Sequence, residues 1–411
     1  MKKWLLGLTL LAVIGAGTLY RSAMREVALV VDTAPAAANT ATVQQGAYIA
    51  RTANCIGCHT TRGGAAFAGG LGIATPFGTI YSSNLTPDQK TGIGSWTAAE
   101  FWRAMHHGQS KDGRLLYPAF PYTSYTNMSR ADSDALFAYL RSQTPVTHVN
   151  RAHELRFPYG LQVSLGVWRT LYFTPGSSVA EPGRDAQWQR GAYLVRGAGH
   201  CGACHTPRDS LAGSDNSREL QGAMMLAQSW YAPTLAGLHD VDIVQLLKAG
   251  HDGQRFVSGP MAEIVHGSTQ YLDDADAQAI SVFLKSLPPA PAASNAPALS
   301  VTSQAMAEAG GKIYEQHCVS CHGADGKGIK GAYPPLAGSR AVLAANPANL
   351  AQMTLNGGFA VSTASNARPF GMPPFAPLLN DAEVAAVLTY IRTAWGNQAG
   401  AVSELQVRRT P

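Results

Sequence analysis

Three short runs in this sequence place two cysteines and a histidine at one fixed spacing. They read Cys-x-x-Cys-His and use all six cysteines of the chain: Cys55-Ile56-Gly57-Cys58-His59, Cys201-Gly202-Ala203-Cys204-His205 and Cys318-Val319-Ser320-Cys321-His322. Two thiols one helical turn apart can each add to one of the two vinyl groups of a haem, and the histidine can then bind the iron. The repetition, with no cysteine left over, argues against a thioredoxin-like pair or half of a zinc site. The sequence therefore predicts three covalently bound c-type haems, each with the motif histidine (His59, His205 or His322) as an iron ligand.

The second axial ligand decides what such a haem can do. Iron held by histidine and methionine is closed and mainly passes electrons, whereas an open iron can bind peroxide or oxygen. In the third region, Met372 lies eight residues before the helix-capping Asn380 and is the predicted ligand. In the second region, Met261 lies twelve residues before Asp273, and the competing candidates are Met224 and Met225.

The first region departs from this pattern. Its loop reads Tyr117-Pro118-Ala119-Phe120-Pro121-Tyr122, so that Phe120 stands where a methionine is expected. Met128 is the nearest candidate ligand, although Leu272 and Leu379 occupy the matching position elsewhere and suggest that Met128 is an apolar contact before a helix. His106 or His107, at the end of a predicted helix, is a second possibility. An open first haem is a third.

Repeated helices must position these motifs. A helix precedes each motif, marked by Gly46-Ala47-Tyr48-Ile49, by Gly191-Ala192-Tyr193-Leu194 and more loosely by Gly311-Lys312-Ile313-Tyr314. Ser129, Asp273 and Asn380 each stand three residues before an acid, as in a capping box, and each begins a helix with apolar residues at three and four spacing. A unit that opens with a helix and this motif and closes with another helix resembles the small all-α cytochrome c fold. The prediction is an all-α chain of three tandem cytochrome c domains with one haem each.

Length and composition agree with several small units. The 411 residues and the motif spacing suggest units of about a hundred residues each. Charged residues make up only 14% of the chain, which suggests that a partner or a membrane covers part of the surface. The formal charge of +5 does not indicate nucleic-acid binding, because haem propionates could cancel it and the basic residues form no cluster.

The N-terminus predicts export from the cytoplasm. Met1-Lys2-Lys3 precedes an apolar run from Trp4 to Tyr20, and Arg21 and Arg25 follow. This pattern fits either a cleaved secretion signal or a retained anchor. The predicted division of the chain is leader and tether (1–42), domain 1 (43–150), aromatic-rich connector (151–182), domain 2 (183–288), linker (289–302), domain 3 (303–398) and a fraying tail (399–411).

Several other features have an expected role. The connector is either a helix packed between haem units or a patch for a membrane surface or a dehydrogenase subunit. His200 and His317 lie too near their own motifs to reach the opposite haem face, so we expect them at the surface or behind the ligands. The run from Gly323 to Gly328 lacks the spacing of a phosphate loop and is expected to wrap a haem edge.

Longer stretches carry a family resemblance. They are Gly69-Gly70-Leu71, Ile73-Ala74-Thr75-Pro76-Phe77-Gly78-Thr79-Ile80-Tyr81-Ser82, Asn84-Leu85-Thr86-Pro87-Asp88, Thr91-Gly92-Ile93-Gly94, Gly199-His200-Cys201-Gly202-Ala203-Cys204-His205-Thr206-Pro207-Arg208 and Ser268-Thr269-Gln270-Tyr271. Together they resemble the trihaem cytochrome c subunit of membrane-bound bacterial dehydrogenases, over nearly all of residues 44 to 395.

The resemblance implies an electron-transfer subunit that is not itself an enzyme. Such a subunit takes electrons from a catalytic dehydrogenase subunit and delivers them to ubiquinone. In that family the catalytic subunit is a quinoprotein, a flavoprotein or a molybdenum enzyme. It implies a place on the periplasmic face of the bacterial inner membrane. The competing hypothesis is a peroxidase-like haem enzyme that uses an open first haem.

Overall fold

A computed structural model describes residues 24–30, 39–176, 180–225, 227–289 and 300–410. The predictions for the apolar leader and for most of the tether and the linker lie outside the described residues. Chain contacts divide the protein into two compact units, Met1–Ala203 with Arg208–Asn216, and Cys204–Pro207 with Ser217–Pro411. The boundary falls within the second predicted domain, so the division into three domains stays a prediction.

The first unit is built from helices around one apolar core. They are α1 (Thr40–Thr52), α2 (Cys55–Cys58), α3 (Ala98–His107), α4 (Tyr122–Tyr125), α5 (Arg130–Arg141), α6 (Gln162–Tyr172) and α7 (Ala186–Arg196). The short helix α8 (Gly202–His205) carries the second motif and crosses the boundary between the units. The core includes Ile49 of α1, Phe101 of α3 and Leu136 of α5.

The second unit holds the remaining helices. They are α9 (Ile243–Ala249), α10 (Pro260–Gly267), α11 (Asp274–Ser286), α12 (Val301–His317), α13 (Val319–His322), α14 (Arg340–Leu343), α15 (Ala348–Asn356), α16 (Asp381–Thr393) and α17 (Glu404–Arg408). Two 3₁₀ turns, Asn216–Arg218 and Thr269–Tyr271, complete the helical segments of the described residues. A second core gathers Tyr314 of α12 with Val384 and Leu388 of α16.

The three capped helices begin where their sequences predicted. Ser129 Oγ accepts from the Asp132 amide at 3.1 Å, and Asp273 Oδ1 accepts from the Asp276 amide at 2.7 Å. Asn380 makes the complete box, because Glu383 Oε2 also accepts from the Asn380 amide at 2.8 Å. These bonds satisfy amide groups that a helix N-terminus otherwise leaves without partners, and they set the start of α5, α11 and α16.

Glycines allow the first and last helices of a haem region to cross closely. A Cβ on Gly46 would collide with the Ala135 carbonyl of α5, and a Cβ on Gly310 would collide with the Ala386 carbonyl of α16. Ala135 and Ala386 each lie six residues after their helix cap. Gly310 is therefore the counterpart of Gly46, which shifts the repeat by one residue from the expected alignment at Gly311.

Short β ladders accompany the helices, which the all-α prediction did not include. Strands β1 (Gly72–Thr75), β2 (Gly78–Tyr81) and β3 (Glu154–Leu155) form an antiparallel sheet, β4 (Ala223–Met225) pairs with β5 (Trp230–Ala232), and β6 (Gly358–Phe359) pairs with β7 (Gly371–Met372). The β1–β2 register places Gly72 opposite Tyr81, around a turn closed by the Thr75 hydroxyl on the Gly78 carbonyl at 2.7 Å. The protein is helix-rich, with these ladders in its haem-region loops.

The tail, residues 399–411, was expected to fray, but its described part, residues 399–410, packs onto the second core. Val402 and Val407 are fully buried. Thr389 Oγ1 of α16 accepts from the Val402 amide at 2.9 Å, and the buried Arg392 donates to the Gly400 carbonyl at 2.8 Å. The two valines and these hydrogen bonds hold the terminal segment in place. The polar ending Arg408-Arg409 gave no sign of this packing.

Candidate haem-attachment sites

The cysteine pairs lie on single helical turns. Helix α2 runs from Cys55 to Cys58, and none of the six cysteines, all of which lie in the described part of the chain, forms a disulfide. Burial and the neighbouring Cys58 raise the pKa of the Cys55 thiol to about 12. Burial likewise raises the pKa of Cys318 to about 11. Cys55 packs against the first core and Cys318 against the second, so both thiols have apolar neighbours.

The three motif histidines make the same hydrogen bond. Nδ1 of His59 lies 2.7 Å from the Ser83 carbonyl oxygen, Nδ1 of His205 lies 2.7 Å from that of Pro233, and Nδ1 of His322 lies 3.0 Å from that of Pro334. Because a carbonyl can only accept, Nδ1 must carry the proton and Nε2 keeps its lone pair. Burial lowers the pKa of all three imidazoles, which favours the neutral form that binds a metal. This arrangement is the usual support of a metal-binding histidine.

A glycine completes each of these supports. The motif histidine's own carbonyl accepts from the amide of Gly69, Gly222 or Gly328, at 2.7, 2.8 and 2.9 Å. Each glycine has a positive φ and lies against the segment that supplies the carbonyl for Nδ1: Gly69 against Ser83, Gly222 against Thr234, and Gly328 against Pro334. Sequence reasoning did not assign these glycines or carbonyls a role. A search for a glycine with a variable spacing after each motif could have found them.

In the third region the predicted distal ligand has a defined position. Met372 lies in β7, paired with Gly358 of β6, and is partly buried against the second core. A Cβ on Gly357 would collide with the Met372 carbonyl, so the two chains approach closely there. The aromatic rings of Tyr314 and Trp395 pack 5.0 Å apart in the same core, and Trp395 Nε1 donates to the Ala324 carbonyl at 2.9 Å.

In the second region, Met261 and Met224 lie in different surroundings. Met261 lies in the first turn of α10, after Gly259, where a Cβ would lie 2.7 Å from the Trp230 ring. The sulfur of Met224, in β4, instead accepts from Asn346 Nδ2 at 2.9 Å. That contact gives the Met224 sulfur a partner within the protein, whereas Met261 stands at the start of a helix in the loop that precedes α11.

The first region has apolar side chains where the others have a methionine. Phe120 packs against the first core, with its ring 5.4 Å from that of Tyr125. Met128 is 2% exposed and Met105 is 5% exposed, and both belong to the core that also contacts Cys55. Met105, on the inner face of α3, was not among the sequence candidates. Its spacing of four residues from Phe101 puts both side chains on the same face of the helix, and this spacing could have identified Met105 as a core residue.

His106 and His107 occupy a different environment from these methionines. The His106 ring lies 4.4 Å from that of Trp102, and His107 lies beside Arg169 and Arg103. Burial, followed by the charges of His106 and those two arginines, lowers the pKa of His107 to about 4. Neither histidine belongs to the core cluster that holds Met105 and Met128.

His200, expected either at the surface or behind the ligands, is half-buried and contacts the first motif region. Its Nε2 lies 3.3 Å from the Ala53 carbonyl, two residues before Cys55, and its ring lies 5.7 Å from that of Tyr125. Ala198, from the same segment, is buried in the first core. The chain that leads into the second motif therefore packs against the first motif. His317 is exposed at the end of α12, with its ring 6.1 Å from that of Phe375.

These residues fit haem. A thiol pair on one helical turn, an imidazole whose Nδ1 is held by a carbonyl, and a nearby thioether are the donors that c-type haem uses. The helices and sites thus define a c-type cytochrome.

Comparison with known proteins agrees with this class. The Cytochrome c family model matches residues 43–144 and 307–395. The alcohol dehydrogenase (quinone) cytochrome c subunit of Gluconacetobacter polyoxogenes is 40% identical over 402 residues, which cover 90% of this chain and 84% of the relative. The gluconate 2-dehydrogenase cytochrome c subunit of Pantoea cypripedii is 36% identical, over 89% of this chain and 88% of the relative. The fructose dehydrogenase cytochrome subunit of Gluconobacter japonicus is 35% identical, over 91% and 84%.

The chain belongs to the family of cytochrome c subunits of bacterial dehydrogenases, which confirms the resemblance found in its motifs. It is therefore a haem protein of electron transport. Among the residues that the structure describes, no helix is both long and apolar enough to cross a bilayer.

Proposed function

We propose that this protein carries electrons through three c-type haems, from a dehydrogenase that faces the periplasm to ubiquinone in the membrane. The observation that carries the proposal is the support shared by His59, His205 and His322. In each, a backbone carbonyl holds Nδ1 and a glycine amide holds the histidine's own carbonyl. Three equal supports favour three equal proximal ligands.

The chain's residues divide the work of holding the haems. Three cysteine pairs would form the thioether links: Cys55 and Cys58, Cys201 and Cys204, and Cys318 and Cys321. The motif histidines would bind iron on one side of each haem. Met372, Met261 and Met128 would close the other side. Haem with both axial positions filled supplies reversible one-electron transfer. Because a closed iron leaves no position for a substrate, substrate oxidation belongs to a partner subunit.

The names of the relatives support the inference of a dehydrogenase partner and a quinone acceptor. They are cytochrome subunits of alcohol, gluconate and fructose dehydrogenases, and the first name includes quinone. We infer a catalytic dehydrogenase subunit for this chain as well, acting on an alcohol, an aldehyde or a sugar acid, with ubiquinone as the acceptor. The apolar run from Trp4 to Tyr20 supports a location at the inner membrane, through an anchor or after export.

Purification of the native complex tests this function. Membranes would be solubilised in mild detergent, the chain captured by a C-terminal tag, and the copurifying large subunit identified. We expect the complex to reduce its haems when the partner's substrate is added and to pass the electrons to a ubiquinone analogue. A chain that purifies without a dehydrogenase, or a complex whose haems are reduced by substrate but not reoxidised by quinone, would contradict the proposal.

A further inference from the structure

Helix α6 presents an uncharged face to solvent. Val163, Val167 and Leu171 follow at a spacing of four residues and are 38%, 40% and 62% exposed. Thr170, also exposed, lies on the same side of the helix. Leu165 is buried on the other side. The turn before the helix adds two more exposed apolar side chains, Phe157, which is 85% exposed, and Leu161, which is 44% exposed. We call Phe157, Leu161, Val163, Val167 and Leu171 the apolar face.

The helix is fixed to the first unit, so the apolar face has a defined shape. The Gln162 side chain accepts from the Leu115 amide at 2.8 Å and donates to the Leu115 carbonyl at 3.2 Å. Trp168 Nε1 donates to the Leu211 carbonyl at 2.9 Å. Arg169, the only charged residue of α6, donates to the His107 carbonyl and lies over the Phe173 ring at 4.7 Å. Its charge is thus held by the unit and leaves the apolar face uncharged.

The chain that follows the apolar leader is fixed beside this helix. The fully buried Gln109 accepts from the Val27 amide at 2.8 Å and donates to the Arg25 carbonyl at 3.0 Å. Glu26 pairs with the buried Arg103. Residues 25–28 line an open cleft whose other wall includes Thr170 and Phe173, at the end of α6. The structure therefore holds this segment against α6.

The position of this segment indicates what covers the apolar face. Only residues 21–24 separate the apolar run that ends at Tyr20 from the fixed Arg25. Five residue steps of extended chain span at most about 17 Å. A leader that enters a bilayer therefore keeps α6 near that bilayer's surface. An uncharged helix face bordered by Trp168 and Tyr172 suits the boundary between headgroups and acyl chains.

We propose that the apolar face of α6 lies in the surface layer of the membrane and orients the first haem unit on it. This inference rests on the membrane location in the proposed function, with the leader retained as the anchor. It assigns the exposed side of the connector to lipid, whereas the sequence left open a membrane surface or a dehydrogenase subunit. A lipid contact here would fix the orientation of the unit, which a single tether cannot do.

Site-specific labelling of the haem-loaded, full-length protein tests the lipid contact. Attached haem uses all six native cysteines, so a cysteine introduced by Val167→Cys would be the one thiol open to a nitroxide label. Val149→Cys is the matched control, because Val149 is also a valine of the first unit and is 76% exposed. Both proteins would be reconstituted into phosphatidylethanolamine and phosphatidylglycerol vesicles. Collisions of the label with oxygen, which concentrates in lipid, and with a water-soluble nickel chelate would then be measured.

We expect the label at position 167 to favour oxygen over the nickel chelate several-fold, and the label at position 149 to favour the chelate. Equal accessibility at the two positions in vesicle-bound protein would overturn the lipid contact and leave the proposed function standing. Shielding of position 167 from both reagents would also overturn it, because protein would then cover the face. Failure of both variants to float with vesicles would reject the membrane location itself, and the lipid contact with it.

Discussion

The first and third candidate attachment sites are alike around the motif histidine and differ in the residue proposed as the second iron ligand. His59 and His322 both give Nδ1 to a carbonyl, and Gly69 and Gly328 support them in the same way. For the proposed second ligand, the third region has Met372 on a β ladder, whereas the first has Phe120 at the expected sequence position and a buried Met128 closer to the helix cap.

This difference indicates that the residues that attach a haem are distinct from the residue that sets its electronic properties. The proximal support consists of a backbone carbonyl and a glycine amide from a segment that follows each motif, and the same pair of bonds is present at all three motifs. The distal ligand comes from a loop whose length and sequence can vary without disturbing that support. A ligand moved from position 120 to position 128 would approach the iron from another part of the chain, and the electronics of the first haem would differ from those of the third.

Of the substitutions considered, removal of the Met372 side chain should change carbon monoxide binding the most. Met372→Ala would leave the third iron without its sixth ligand, and we expect the reduced protein to gain about one carbon monoxide site per chain. Met353→Ala is the matched control, since Met353 is a partly buried methionine of the same unit that contacts Gly358. Difference spectra measure the binding. An unchanged spectrum in Met372→Ala would refute the ligand assignment.

Met128 and Met105 test the first haem in the same way. Both are buried, so either alanine variant should lose about 2–5 kcal/mol of stability through lost packing. Only Met128→Ala is expected to add a carbon monoxide site. A new site in Met105→Ala, His106→Ala or His107→Ala, with none in Met128→Ala, would move the ligand to that residue.

The glycine supports should be equally important in both regions. Alanine at a positive φ costs about 1–2 kcal/mol, and crowding adds about 1–3 kcal/mol. Gly69→Ala should therefore be more destabilising than Gly63→Ala, because φ is +75° and +73° but only Gly69 is crowded. In the third region, Gly328→Ala should likewise be more destabilising than Gly338→Ala, because φ is +64° and +67° but only Gly328 is crowded. Denaturant titration followed by haem absorbance measures the differences, and equal losses within a pair would show that the close approach is unimportant.

The helix caps should give the smallest effects. Ser129→Ala and Asn380→Ala each remove the side-chain oxygen that accepts from an amide in the first turn, which should cost about 1 kcal/mol. Ser129→Thr and Asn380→Asp keep an acceptor oxygen and serve as controls. Losses in the controls as large as in the alanine variants, again from denaturant titration, would mean that the cap bond contributes little.

Sequence reasoning succeeded where contiguous residues decide the structure. The caps at Ser129, Asp273 and Asn380 and the cysteine turns depend on residues within one or two helical turns. The carbonyls of Ser83, Pro233 and Pro334 lie 24, 28 and 12 positions from their histidines, and no short pattern connects them. The His200 contact with Ala53 spans 147 positions. Such contacts depend on how whole segments pack, which residue spacing does not encode.

The tail and the connector illustrate the same limit. Val402 and Val407 are two valines in a polar segment, and only the core beneath them explains their burial. Helix α6 has apolar residues on more than one side, and the fold determines that Leu165 turns inward while Val167 stays exposed. The sequence predicted for the connector either a helix packed between haem units or a patch for a membrane surface or a dehydrogenase subunit. The structure places a helix there with exposed apolar side chains, and what that helix contacts stays a prediction.

On the proposed function, the haems of this protein are closed and serve only to pass electrons. Carbon monoxide titration of the reduced wild-type protein, with its haem content counted in the same sample, would reveal an open haem. We predict three haems per chain and no rapid, stoichiometric carbon monoxide binding. Rapid binding at one haem of the three would contradict the claim and would favour a peroxidase-like enzyme that uses the first haem.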